Sequence, residues 1–152
     1  MNLIIDIGNS FTKVYLYSNG VPKFFKIINN LDELKNSIVL YFKEISHVIV
    51  SDVKRDKIEN VLSMFKGKLI FLVKECSFPF KSRYKTMNSL GEDRIALVNS
   101  AFKKFPNENV LIIDLGTCIT YDFLVEKGEY LGGLISPGFE MRYKSLNFLH
   151  KN

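Results

Sequence analysis

The sequence predicts an α/β protein with a domain-scale internal duplication, on three observations. A buried apolar strand ending in aspartate, an apolar residue, glycine and a small polar residue occurs twice, as Asn2 to Thr12 and again as Val110 to Thr120. Between the copies, apolar runs of strand length alternate with segments of helical periodicity. The copies lie a domain's length apart, too far for the repeat of a solenoid and right for two related halves.

Taken in order, the apolar run from Asn2 that ends at Asp6 reads as a buried strand and Phe11 to Tyr17 alternates as a second. Asn19-Gly20 signals a tight hairpin, and Pro22 to Ile28 returns as a third strand. Asn29 and Asn30 break the chain. Leu31 to Ile45 then places Leu31, Leu34, Ile38, Tyr41, Phe42 and Ile45 at helical spacing. His47 to Val53 is an apolar strand, and a strand after a helix predicts a parallel crossover. Asp56 to Phe65 reads as a second amphipathic helix, with Ile58, Val61, Leu62 and Phe65 on one face and Gly67 as its stop. Lys68 to Val73 follows as a strand. Three antiparallel-capable strands, then helix, strand, helix, strand, is the order of an actin-like or ribonuclease H-like domain.

Lys74 to Leu90 has little periodicity and contains Pro79, so it reads as a long functional loop. It leads into Gly91, Glu92, Asp93 and Arg94 at the head of a helix that ends near Phe105 and Pro106. The second motif copy continues through Tyr121 to Glu126, turns at Lys127-Gly128 and returns as Tyr130 to Ile135, with Gly132 and Gly133 within it. Ser136 and Pro137 are expected to open a last helix through Leu146 and Leu149. The expected division is residues 1–106, a first domain carrying the loop, and 107–152, the incomplete start of a second.

The 152 residues are 47% hydrophobic and 24% charged, an ordinary globular composition. No apolar run approaches the ~20 residues that span a bilayer, and the chain enters a strand at once without a leader pattern, so a cytoplasmic location is expected and a membrane is not. Cys76 and Cys118 form no disulfide framework or thiolate cage, and His47 and His150 add no ligand spacing. The net charge of +5 suits an anionic ligand, but its lysines are scattered with no basic stripe, which argues against nucleic acid.

The repeated motif suits a phosphate site. An acid at a strand end can hold a cation close to a polyphosphate. A glycine two residues on allows a positive-φ turn whose N–H groups face an anion. Ser10, Thr12, Thr117 and Thr120 add hydroxyls, and Lys13 adds a point charge. Each copy alone would equally suit an ordinary hairpin turn, and the repetition is what favours the phosphate reading. Asp93 and Arg94 admit two readings. In one, Asp93 complements the helix dipole and Arg94 pairs with it or with solvent. In the other, Asp93 takes a proton from a hydroxyl nucleophile and Arg94 grips an anionic substrate group bidentately. The glycines at 132 and 133 suit close approach to a flat ligand, to another strand, or a structural turn.

Four motifs stand in order: D-I-G-N-S-F-T-K from Asp6 to Lys13, Y-K-T-M-N-S-L-G-E-D-R from Tyr84 to Arg94, D-L-G-T-C-I-T from Asp114 to Thr120, and G-G-L-I-S-P-G from Gly132 to Gly138, followed by Met141. Together they resemble the type III pantothenate kinases of coenzyme A biosynthesis, in the acetate kinase, sugar kinase and actin-like superfamily. The resemblance implies a duplicated ribonuclease H-like/actin-like ATPase fold whose second domain is incomplete here. It implies that Asp6, Ile7, Gly8, Asn9, Ser10, Phe11, Thr12 and Lys13 bind ATP phosphates, with Thr117 also on ATP. Asp114 is implied to hold an activating K+ or NH4+, and Mg2+ to accompany the nucleotide. Asp93 matches the base that deprotonates the pantothenate hydroxyl, and Tyr84, Gly91, Glu92 and Arg94 match positions around pantothenate. A homodimer of the full-length form is implied as well. The sequence departs from the pattern at Met87, where members have proline, and at its end, where members continue through a pocket threonine and dimer surface. Alternatives that keep the phosphate hairpins are another hydroxylated acid as acceptor, or a nucleotide-binding accessory module without kinase turnover.

Overall fold

The computed structural model describes residues 1–53, 58–86 and 89–149. The expected helix start at Asp56, the departure at Met87, His150 and the last residues lie outside the described residues, as do the side chains of Leu31, Ile58 and Leu149. The chain forms two compact units, Met1–Cys76 and Ser77–Asn152.

In the first unit, β1 (Asn2–Ile7), β2 (Thr12–Ser18) and β3 (Val21–Ile28) form an antiparallel meander, and β4 (His47–Asp52) and β5 (Leu69–Leu72) add in parallel to give the order β3-β2-β1-β4-β5. This is the topology expected from the sequence. Asn19 and Gly20 join β2 to β3 with φ of 50° and 77°, the left-handed pair that a two-residue hairpin needs. α1 (Leu31–Ile38) begins at Asn30, whose side chain accepts from the Glu33 amide at 2.8 Å. Glu33 reaches back to the Asn29 amide at 2.9 Å, closing the cap from the other side. α2 spans Ile58–Met64. Leu34 and Ile38 of α1, with Val61 and Phe65, bury Leu3, Ile5 and Ile7 of β1, Val14 and Leu16 of β2, and Val48 and Val50 of β4. Each such side chain contributes about 1.5–3 kcal/mol by leaving water.

α1 ends at Ile38, short of the Ile45 that the apolar spacing suggested. The chain turns instead, with Tyr41 N–H donating to Ile38 O at 2.9 Å, and Ile45 is carried back into the core. Tyr41, Phe42 and Ile45 were patterned by burial, which a turn satisfies as well as a helix does.

The second unit holds β6 (Lys81–Ser82), α3 (Glu92–Lys104), β7 (Val110–Leu115), β8 (Cys118–Val125), β9 (Glu129–Pro137) and α4 (Phe139–Leu149). Its sheet runs β6-β9-β8-β7, antiparallel except for β6 against β9. α3 packs on β7 and β8 through Ile95, Val98 and Ala101. α3 and the loop from Ser77 onward lie in the same compact unit as this sheet.

Two further expectations are corrected. The long loop is interrupted by β6, whose Lys81 and Ser82 pair with Glu129 and Tyr130. Ser136 and Pro137 do not open the last helix: they extend β9 opposite Ile119 and Cys118, and α4 starts after Gly138. Among the described residues no helix is long and apolar enough to cross a membrane.

Candidate functional site

The first hairpin turn lies between β1 and β2. Ile7 is buried and anchors the strand, while Asn9, Ser10 and Phe11 form its exposed tip. Gly8 N–H donates to Phe11 O at 3.0 Å, closing a four-residue connection. Gly8 is not among the glycines with positive φ, and its role is room instead, since a Cβ there would sit 3.1 Å from that same carbonyl. Asp6 lies opposite Lys13 in the register, with Lys13 Nζ 3.8 Å from Asp6 Oδ2. Thr12 pairs with Ile7 and lines a cavity of about 230 Å³ with Asn29, Asn30 and Asn60.

The second copy is tighter. Gly116 N–H donates to Cys118 O at 3.0 Å, so two residues, Gly116 and Thr117, connect β7 to β8. Gly116 too lacks a positive φ. Asp114 lies opposite Thr120, and among the described residues it makes no ion pair. The Thr120 hydroxyl is buried with no hydrogen-bond partner among the described residues. Thr117 O accepts from Gly138 N–H at 3.1 Å, and a side chain at 138 would run into the Gly116 and Thr117 carbonyls. The G-G-L-I-S-P-G motif thereby holds the second turn from behind.

Asp93 sits in the first turn of α3, whose N-cap is Gly91. Its Oδ1 accepts from the Arg94 amide at 2.8 Å, and the helix dipole favours a carboxylate there. A side chain at 91 would strike this carboxylate, so Gly91 leaves Asp93 its position. Glu92 is buried beside it.

Arg94 has a partner in the protein that the sequence reading did not offer. Its side chain is buried, and its guanidinium grips Asp122 of β8: Nη2 donates to Oδ1 at 2.6 Å and Nε to Oδ2 at 2.9 Å. The Tyr130 hydroxyl of β9 donates to the same Asp122 Oδ1 at 2.5 Å, and Arg94 Nη2 reaches that hydroxyl at 3.3 Å. Asp122 and Tyr130 are both 0% exposed. Burial, then the hydrogen bond to Asp122, pushes the Tyr130 phenol well above its ordinary pKa. Its bond to Asp122 keeps the Arg94 guanidinium protonated, with a raised pKa despite burial.

Gly133 faces Asp122 across the ladder, and a Cβ there would collide with the Tyr121 carbonyl and crowd the Asp122 carboxylate. Gly132, at a bulge with φ of 100°, lets the Tyr84 ring come within 3.1 Å of where a Cβ would stand. Tyr84 also stacks on Tyr130, ring centroids 6.2 Å apart. The paired glycines thus serve side chains and strands of the protein itself.

Sequence reading missed Asp122 and Tyr130. One signal was present: Arg94 stands at helical spacing with Val98 and Ala101 on the core face of α3, and Asp122 interrupts an apolar strand.

The family model for type III pantothenate kinase matches residues 2–149. A type III pantothenate kinase of Christiangramia forsetii is 43% identical over 151 residues, covering 97% of this chain and 62% of the relative. One of Flavobacterium johnsoniae is 38% identical over 150 residues, with 97% and 62% covered. The chain therefore spans about 62% of the length of these curated relatives. Among solved structures, a Campylobacter jejuni protein described as a Baf family transcriptional activator aligns with TM-score 0.62 at 24% identity, covering 99% of this chain and 60% of that one. A Porphyromonas gingivalis protein described as an N-acetylglucosamine kinase aligns with TM-score 0.57 at 14% identity, covering 88% and 47%. These two likenesses show a shared α/β fold. With a family match that runs through all four sequence motifs, the chain belongs to the type III pantothenate kinase family.

Proposed function

We propose that this protein acts in the ATP-dependent phosphorylation of pantothenate, the first step of coenzyme A biosynthesis. The observation that carries the reading is the family match across residues 2–149, which includes the Tyr84–Arg94 segment with Asp93 at the head of α3. Pantothenate offers a primary hydroxyl and a carboxylate. In the proposed step Asp93 takes the hydroxyl proton, the oxygen forms a bond to the γ-phosphorus of ATP, and ADP leaves with the bridging oxygen. Gly91, Glu92, Arg94 and Tyr84 shape the pantothenate site, and Asp6 to Lys13, with Thr117, bind ATP.

The donor sets fit the ions this chemistry uses. Among the described residues no group of three acidic, histidine or cysteine side chains could cage a metal. That suits Mg2+, which is commonly held by one carboxylate, the nucleotide phosphates and water, and Asp6 is the carboxylate for it. When bound, Mg2+ neutralises charge on the phosphates. Among the described residues Asp114 makes no ion pair, and in the β7–β8 register it lies opposite Thr120, whose buried hydroxyl has no partner there, an oxygen pair suited to K+ or NH4+. The reading carries with it a duplicated actin-like fold, a homodimer of the full-length form, and a cytoplasmic location.

The test is phosphate transfer from ATP to pantothenate with Mg2+, in K+ against Na+, for the wild type and Asp93→Asn. K+-stimulated transfer that falls by about 10²–10⁴-fold in the variant is expected. Equal transfer by the variant contradicts the role of Asp93, and no transfer by a folded wild type contradicts the proposed activity.

A further inference from the structure

We propose that Asp122 and Tyr130 are positioning residues for the pantothenate segment, a buried node that fixes both ends of Tyr84–Arg94 without touching substrate. The inference rests on the reading of that segment given above. Its two ends converge on one carboxylate. At the far end, Arg94 donates through Nη2 and Nε to Asp122, and its own amide donates to Asp93 Oδ1, so the guanidinium anchor lies one residue from the base. At the near end, Tyr84 rests on Gly132 and stacks on Tyr130, whose hydroxyl donates to the same carboxylate.

Directional contacts distinguish this node from ordinary core packing. A buried ion pair is often no more stabilising than well-packed apolar residues of similar volume, so stability alone does not call for one here. What the pair supplies is direction: a planar fork on a carboxylate fixes the arginine in two directions, and the phenol fixes the carboxylate in a third. Displacement of a reacting group by an ångström is costly, so a rigid anchor beside the base and behind Tyr84 has a functional consequence. The two glycines fit the same purpose. Gly133 makes room for the Asp122 carboxylate and Gly132 for the Tyr84 ring, each at the expense of a side chain in a strand.

The test uses Tyr130→Phe, which removes the phenol hydroxyl and keeps the ring that stacks on Tyr84. Titration calorimetry measures pantothenate and MgATP binding to the wild type, to Tyr130→Phe and to Val98→Ala, a control in the α3 core whose side chain takes no part in the node's hydrogen bonds. Losing this one hydrogen bond is expected to weaken pantothenate about three- to tenfold while MgATP is unchanged. The control is expected to lose stability and keep the wild-type pantothenate affinity. Wild-type affinity in Tyr130→Phe, or equal weakening by Val98→Ala, overturns the positioning role. A folded wild type that does not bind pantothenate overturns the substrate reading, and the inference with it.

Discussion

The two copies of the hairpin motif share their sequence pattern and differ in what surrounds them. Leu3, Ile5 and Ile7 of β1 are 0%, 0% and 2% exposed beneath α1 and α2. Their counterparts on β7, Leu111, Ile113 and Leu115, are 56%, 51% and 65% exposed. The aspartates differ as well. Asp6 lies opposite Lys13 across a four-residue connection, and Asp114 lies opposite Thr120 across a two-residue one. A shared motif therefore sets the hairpin, while cross-strand partners and covering helices set its charge and its stability. The cores diverge in the same way: the first sheet is sealed by aliphatic and aromatic side chains, the second around Arg94, Asp122 and Tyr130.

The largest effect expected from this contrast is in the second core. Asp122→Asn leaves the Arg94 guanidinium buried without its counter-charge and should cost about 3–5 kcal/mol in urea unfolding. Corresponding aliphatic positions should then separate: Ile5→Ala is expected to cost about 2–5 kcal/mol, and Ile113→Ala no more than about 0.5 kcal/mol. Equal costs at the two positions would mean that the β7 face is covered in solution.

Smaller changes sharpen the comparison of the two aspartates. Lys13→Thr gives the first hairpin the hydroxyl partner of the second. Because the Asp6–Lys13 pair is partly exposed at 3.8 Å, unfolding should shift by less than about 1 kcal/mol. MgATP affinity should nevertheless fall about tenfold, the order of a lost hydrogen bond to a charged group. Asp114→Asn should remove any difference between K+ and Na+ and leave MgATP binding intact.

The smallest effect is a slope in pH. The folded Tyr130 phenol binds its proton more tightly than the unfolded one, so the folded state holds more protons once pH passes the unfolded value of about 10. Stability is then fully present below about pH 10 and declines above it, and Tyr130→Phe should flatten that decline. Urea unfolding between about pH 9 and 11 reads the difference directly.

How much of this was legible in the sequence follows from the range of the interactions. The β1-β2-β3 meander was readable because strand alternation and Asn19-Gly20 are local signals, and the crossover to β4 follows from a helix between strands. The β6 strand was not, since Lys81 and Ser82 are too few for any period and pair only because β9 presents an edge. The glycines of the two turns were anticipated for positive φ and serve otherwise, a distinction that backbone angles alone reveal. Arg94 was read as a candidate site residue, yet its partner stands 28 positions on in β8, beyond any spacing rule. The local motifs, Asp6 to Lys13 and Gly91 to Arg94, were therefore visible in the chain, and the node of Arg94, Asp122 and Tyr130 was not.

The proposed division, with ATP on Asp6 to Lys13 and Thr117 and pantothenate on the Tyr84–Arg94 segment, is read most directly from amide chemical shifts. In the isotope-labelled wild type, MgATP should move the amides of Gly8 to Lys13 and of Thr117. Pantothenate should move those of Tyr84 and Gly91 to Arg94. A folded chain in which pantothenate leaves the Tyr84 and Gly91–Arg94 amides unmoved, or in which MgATP leaves Gly8 to Lys13 unmoved, would contradict the account.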